Sequence, residues 1–211
     1  MEKKGLIFDM DGTLWDSASA VAMCWSRVVK ESGLIDRAVT TEDVMGVMGK
    51  TMDVIADILF GELSKKDRMA LLEVCCNKEN EYLKDNGAIL YPELVSTLEE
   101  LKKDYHLYIV SNCQKGYIEA FLDHYKLWYL FEDTECYGNN EQKKGVNIRL
   151  LADRNNLTKA YYVGDIQGDY EASREAGVGF IHASYGFGEV TADVPRIKSF
   201  SELKNAAKTL F

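Results

Sequence analysis

No apolar run in this chain approaches the roughly 20 residues that a membrane-spanning helix needs. Met1-Glu2-Lys3-Lys4 leads into only four apolar-type residues before Asp9, too few for the apolar core of a signal peptide. A cytoplasmic protein is therefore expected. Positive charge is in deficit: 25 Lys and Arg stand against 34 Asp and Glu, for a net charge of −9. A nucleic-acid surface needs a basic stripe, which this balance argues against. The three histidines are far apart and fit no zinc motif. The five cysteines (Cys24, Cys75, Cys76, Cys113 and Cys136) are odd in number and lack metal-site spacing, which suits reduced thiols. Internal repeats and low-complexity tracts are absent too. What remains is an ordinary globular composition, 46% hydrophobic and 28% charged. Its 211 residues suffice for one large domain, or one domain carrying a smaller one. The acidity does not bar an anionic substrate, but local positive groups or a metal must then reverse the field.

The chain is organised around Leu6-Ile7-Phe8-Asp9-Met10-Asp11-Gly12-Thr13. The run Gly5 to Phe8 reads as a strand buried on both faces, as in a parallel sheet. Residues i and i+2 of an extended segment point the same way. Asp9 and Asp11 therefore both reach the space beyond the strand's carboxyl end, where open α/β sheets bind ligands. Two carboxylates so close repel unless a positive charge lies between them. A hard divalent cation with oxygen ligands answers that need, Mg²⁺ by default. Turn chemistry alone also selects Asp and Gly here, so the pair gains meaning only alongside the polar ends of the other strands.

From Asp16 to about Asn86 the periodicity is helical. Val21, Trp25, Val28 and Val29 share one face, and Gly33 offers a stop. Helix starts are read at Thr41-Glu42-Asp43, at Thr51 or Asp53, and at Ser64. This stretch reads as a helical bundle inserted after the first strand, with hinges near Leu14–Ser17 and Gly87–Tyr91. After Gly87 strands and helices alternate. Tyr91-Pro92-Glu93 suits a helix with Pro at its first position. Leu107 to Val110 is a strand, Tyr117 to Tyr125 a helix, Phe131 to Tyr137 a third strand, and Val146 to Arg154 a helix. Tyr161 to Val163 is a strand ending in Gly164-Asp165. Tyr170 to Ala176 is a helix, Val178 to His182 a last strand, and Ser201 to Leu210 a closing helix. The alternation implies an α/β fold with a doubly wound parallel sheet. The expected division is residues 1–15 and 88–211 for the core and 16–87 for an all-helical cap.

Three strands end in polar residues: Asp9 and Asp11, Ser111 and Asn112, and Asp165 with Asp169 four residues on. In a parallel sheet these ends gather along one edge. N-capping would also explain Asp165 and Ser111-Asn112, and Lys143 and Lys144 would ordinarily be solvated. Together, however, they supply carboxylates for a cation, a hydroxyl, an amide and a lysine, the parts phosphoryl transfer requires.

With these motifs the chain resembles the haloacid dehalogenase-like superfamily, and within it the phosphoglycolate phosphatase-like hydrolases. The first motif corresponds to Asp9-Met10-Asp11-Gly12-Thr13, the second to Val110-Ser111-Asn112, the third to Lys144-Gly145, and the fourth to Gly164-Asp165 with Asp169. The resemblance spans essentially the whole chain in the right order and implies a Rossmann-like core with an inserted helical cap. It implies a Mg²⁺-dependent phosphatase acting on a small phosphomonoester, phosphoglycolate-like or a sugar phosphate. Asp9 would be the nucleophile and Asp11 the acid and base. Mg²⁺ would be held by Asp9, the Asp11 carbonyl and Asp165, with Asp169 nearby. Ser111 and Lys144 would bind the phosphoryl group, with Asn112 assisting. In many relatives the third-motif lysine precedes a proline; here Gly145 follows Lys144, so Lys143 stays a candidate.

Some capped relatives are sugar phosphate mutases, with basic residues around a Gly in the cap loop. Met45 to Lys50 offers one base, Lys50, which favours hydrolysis and makes Lys50 a candidate substrate contact. A phospho-acceptor signalling domain is a reading from another class, but receiver domains lack a large helical insert after the first strand. A dinucleotide enzyme is poorly supported, since no Gly-x-Gly-x-x-Gly follows the first strand and Gly186-Phe187-Gly188 comes late. The expected partner is a small phosphorylated metabolite, with no nucleic acid and no membrane.

Overall fold

A computed structural model describes residues 2–211. The first strand, β1 (Lys4–Phe8), leads through a turn to β2 (Trp15–Asp16) and four helices: α1 (Ala18–Ser32), α2 (Thr41–Met45), α3 (Met52–Leu59) and α4 (Lys65–Asn86). There follow β3 (Ile89–Leu90), α5 (Leu94–Leu101), β4 (His106–Ser111), α6 (Tyr117–Tyr125) and β5 (Asp133–Cys136). The chain continues with α7 (Tyr137–Asn140), α8 (Lys144–Arg154), β6 (Lys159–Gly164), α9 (Gln167–Ala176), β7 (Gly179–Ala183) and β8 (Arg196–Ile197), and closes with α10 (Leu203–Leu210).

Six strands form one sheet in the order β5-β4-β1-β6-β7-β8, with every neighbouring pair parallel. β1 is central, with Leu6 beside Leu107 and Tyr161. Its near-continuous apolar sequence follows from burial on both faces. Leu6, Phe8, Leu107, Ile109 and Val163 point into one core, which α5, α6 and α10 complete. Ile7, Tyr108, Val110 and Tyr162 point the other way, against Ile148, Leu151 and Ala172 of α8 and α9. This is the two-residue alternation of a pleated strand, with both faces apolar.

The helices α1 to α4 have their own apolar cluster, with Val21, Trp25, Val29, Ile55, Leu59 and Cys75 buried together. The two segments that join them to the sheet, β2 and β3, pair antiparallel as a short ribbon, Trp15 opposite Leu90. Helix starts follow local chemistry: Thr40 and Asp43 form a capping box on α2, and Ser64 accepts from the Asp67 N–H at the start of α4. Pro92 does not open a helix as its sequence suggests. Glu93 takes a left-handed conformation with φ of 58°, and α5 starts at Leu94. The short strand β8 and the short helix α7 have no apolar periodicity to announce them. The five cysteines are free and buried. Among the described residues no helix is long and apolar enough to cross a membrane.

The central strand sets a stability test. Ile7 is fully buried between β4 and β6, so Ile7→Ala should destabilise the protein by about 2–5 kcal/mol. Ile58→Ala, at a residue 53% exposed, should change it by no more than about 0.5 kcal/mol. Urea denaturation of both variants gives the comparison.

Candidate active site

Asp9 follows the last residue of β1, and its N–H donates to the Val163 carbonyl at 2.9 Å, which keeps it extended at the sheet's edge. Asp165 follows β6, next to β1 in the sheet. Asp169 lies in the first turn of α9, where a carboxylate is favoured by the helix dipole. Its Oδ2 accepts the N–H groups of Asp165 at 3.0 Å and Ile166 at 3.2 Å. Asp165 is therefore not the N-cap of α9, a place that Ile166 takes. Asp165 instead accepts the Phe187 N–H at 2.7 Å. One carboxylate oxygen from each of Asp9, Asp165 and Asp169 lies within 4.8 Å of the other two, all buried.

Lys144, at the start of α8, extends into this cluster. Its Nζ donates to Asp9 Oδ1 at 3.0 Å and to Asp169 Oδ1 at 2.7 Å. Lys144 is 4% exposed, whereas Lys143 beside it is on the surface; of the two candidates only Lys144 joins the cluster. Burial opposes its charge, but Asp169 and Asp9 outweigh that effect and hold the ammonium well above the ordinary lysine range. One lysine does not neutralise the acids. Burial pushes Asp9 up to about 7, with Asp169 and Asp11 adding to the rise against Lys144. Burial and the charges of Asp169 and Asp9 push Asp165 up to about 9. A divalent cation among these oxygens would relieve both, so the donor set fits a hard cation such as Mg²⁺.

Two glycines make the cluster possible. Gly12 has φ of 78°, and a Cβ there would fall 2.1 Å from Asp165 Oδ2. At Gly186 a Cβ would fall 2.3 Å from Asp165 Cβ and 2.4 Å from the Gly12 carbonyl oxygen. Gly186 and Phe187 belong to the motif that in the sequence is only a late glycine pair. Its structural meaning is that the loop after β7 closes over Asp165, a long-range contact without a local signature. His182 of β7 supports the same residue, with Nε2 3.1 Å from the Asp165 carbonyl oxygen.

Asp11 is held separately. Ser17 Oγ donates to its Oδ1 at 2.6 Å and Tyr117 OH donates at 2.7 Å. Both donors come to one oxygen, and burial raises the carboxyl above the usual range even against these bonds. Neither Ser17 nor Tyr117 is legible as a partner in the sequence, because each reads as an ordinary helix-start residue. Ser111 is buried at the end of β4. The helix after it begins only at Tyr117, so Ser111-Asn112 does not cap it. Asn112 Nδ2 donates to the Gly49 carbonyl at 2.8 Å, tying the sheet edge to the loop between α2 and α3. Lys50 is exposed, yet it lines the cleft that Asp11, Ser111 and Asn112 share with the helical insertion.

Fold and edge cluster together define a doubly wound α/β protein with buried acids just beyond adjacent strands. A family-level sequence profile described as haloacid dehalogenase-like hydrolase matches residues 6–183. The chain belongs to that family of hydrolases. It is similar to the phosphoglycolate phosphatase of Aliivibrio fischeri, 28% identical over an alignment of 211 positions, gaps included, that covers 90% of this chain and 88% of that one. It is similar to the phosphoglycolate phosphatase of Aquifex aeolicus as well, 28% identical over 198 residues, covering 90% and 89%. In fold it matches a haloacid dehalogenase-like family hydrolase from Streptococcus pneumoniae, with a TM-score of 0.79, 22% identity and 98% of each chain covered.

Lys144→Met should lower turnover by about 10²–10³-fold, as loss of a buried electrostatic donor does. Lys143→Met, at a surface position, should stay within about twofold. Gly186→Ala, which pushes on Asp165, should cost about 10–100-fold. Initial rates of the three purified variants, with circular dichroism to check folding, test the assignment.

Proposed function

We propose that the protein hydrolyses a small phosphomonoester in two steps through an aspartyl-phosphate on Asp9, with Mg²⁺ as its cofactor. The observation that carries the reading is Lys144 Nζ placed between Asp9 and Asp169 in a buried acidic cluster. A carboxylate nucleophile must approach an anionic phosphoryl group, and only convergent positive charge makes that approach favourable. Asp9, Asp165 and the Asp11 backbone carbonyl would hold the cation, with Asp169 beside them. When bound, the cation would neutralise phosphoryl charge.

A carboxylate oxygen of Asp9 attacks phosphorus as the bond to the leaving alcohol oxygen breaks. Asp11 gives its proton to that oxygen. Asp11 then takes a proton from water, which attacks the phosphorus of the acyl phosphate and returns Asp9 and inorganic phosphate. The raised carboxyl of Asp11 supports the first role, since a proton must be present to be given. Its two bonds at Oδ1 support a fixed orientation through both steps. Lys144 and Ser111 bind the transferring group in this reading. Asn112 assists through its link to Gly49. The relatives' shared name, phosphoglycolate phosphatase, sets the scale of the alcohol portion at a few heavy atoms.

Asp9→Asn should abolish turnover of p-nitrophenyl phosphate while leaving the unfolding transition in place. Chelation with EDTA should silence the wild type, and added Mg²⁺ should restore it. Asp11→Asn should slow both steps by about 10²–10⁴-fold. Near-full activity of Asp9→Asn with Mg²⁺ present would show that the nucleophile lies elsewhere.

A further inference from the structure

Beyond Asp11 the edge cluster opens into a small cleft of about 50 Å³ between the sheet and the helical insertion. If the protein is a phosphatase of this kind, the alcohol portion of the substrate must sit here. The cleft walls are largely apolar, with Val21, Trp25, Val44, Val47, Met52 and Ile55 contributing. Glu79 of α4 also lines it and is 3% exposed. Trp25 Nε1 donates to Glu79 Oε2 at 2.6 Å, and the Gln114 amide faces the same carboxyl. Among the described residues no lysine, arginine or histidine pairs with Glu79, and its one charged neighbour of consequence is Asp11. Buried acids are ordinarily paired, because an uncompensated charge away from water is costly. Burial accordingly pushes Glu79 up to about 8, with Asp11 adding to the rise and Trp25 opposing it.

The other polar atoms of the cleft point to the same chemistry. Asn112 Oδ1 is buried without a hydrogen-bond partner, while its Nδ2 is committed to Gly49. Gln114 Nε2 donates to Asn80 at 3.0 Å. The cleft therefore presents an unpartnered acceptor and a buried acid to its contents, while the amides of Asn112 and Gln114 are engaged as donors. Lys50 is the one cationic residue lining it, and Lys50 is exposed. A carboxylate in the depth of this cleft would find no cation among the buried lining residues, Lys50 being exposed, and would face the unpartnered Asn112 carbonyl oxygen. A sugar would bring more hydroxyls than these walls can satisfy. A short apolar chain ending in an ammonium suits the cleft: carbons against the aliphatic walls, and positive charge against Glu79, which releases its proton to solvent as the pair forms.

We propose that the preferred substrates are aminoalkyl phosphates, phosphomonoesters whose alcohol portion ends in a protonated amine that pairs with Glu79. This assignment rests on the phosphatase reading and names the substrate class of the same site.

The test is steady-state kinetics with Mg²⁺ at neutral pH on 2-aminoethyl and 3-aminopropyl phosphate, their uncharged counterparts ethyl and propyl phosphate, and phosphoglycolate. The better aminoalkyl ester should exceed both its uncharged counterpart and phosphoglycolate in kcat/KM by about tenfold or more. Glu79→Gln keeps the shape and an acceptor for Trp25 but loses the charge. It should raise KM for the aminoalkyl ester and bring its advantage over the uncharged ester below about threefold. A wild-type preference for phosphoglycolate that disappears in Lys50→Ala would overturn the proposal and place the recognition at Lys50. Equal rates on charged and uncharged alkyl esters, or an unchanged ratio in Glu79→Gln, would overturn it too. The wild-type ratios decide the matter even if Glu79→Gln fails to fold. Failure of the wild type on p-nitrophenyl phosphate as well would mean that the phosphatase reading is wrong, and the substrate assignment would go with it.

Discussion

The site depends on one buried ammonium. Asp9, Asp165 and Asp169 meet at the sheet edge because β1 and β6 are neighbours and α9 starts immediately after β6. Nothing in that arrangement tolerates three carboxylates by itself. Lys144, between Asp9 and Asp169 at 3.0 and 2.7 Å, is the countercharge that the protein supplies for itself. It does so from α8, the helix packed against α9 on the same face of the sheet. The face that looks like plain core is thus also the support of the site. Removing one partner from such a buried group costs more than the bond itself, since the remaining charges are left uncompensated.

Much of this is legible in the sequence, for physical reasons that differ by element. The apolar run before Asp9 announces a doubly buried strand, and the i, i+2 relation aims Asp9 and Asp11 to one side. Strand ends in a parallel sheet gather along one edge, which brings Asp165 into reach. Lys144 is less secure, because adjacent lysines look alike until a helix start decides which points inward. The sequence starts the helix after Tyr91 too early, because Pro92 fits a first helical turn as well as it fits the turn that precedes one. Gly186 and Phe187 closing over Asp165, and Tyr117 and Ser17 holding Asp11, are contacts between distant segments. Glu79 lies in the interior of a long helix whose sequence shows only a charged residue among others. Its burial depends on how α1 and α4 pack.

The helical insertion and the sheet are joined by more than covalent linkers. Gly49, with φ of 77°, brings its backbone so close to the sheet edge that a Cβ would fall 2.3 Å from Ile166 Cδ1. Its carbonyl accepts from Asn112, and Asn80 Nδ2 donates to the Lys115 carbonyl at 2.9 Å. Between these contacts lies the apolar cleft, walled by the insertion and floored by Asp11. In the proposed reaction, chemistry at the edge and selection of the alcohol fall to different structural units. The acids and Lys144 come from the sheet side, and most of the cleft wall comes from α1, α3 and the loop before α3.

The central position of β1 has a consequence for synthesis. This strand leaves the ribosome before any of its neighbours, yet its hydrogen-bonding partners are His106 to Ile109 on one side and Lys159 to Val163 on the other. An apolar segment of this kind is a hazard while it waits unpaired. The helical insertion, whose contacts are mostly local, can form in the interval, since local contacts close faster than distant ones. The strand that leads to Asp9 is thus translated ahead of both its neighbours and locked in late, when β6 emerges and arrives with Asp165 at its end.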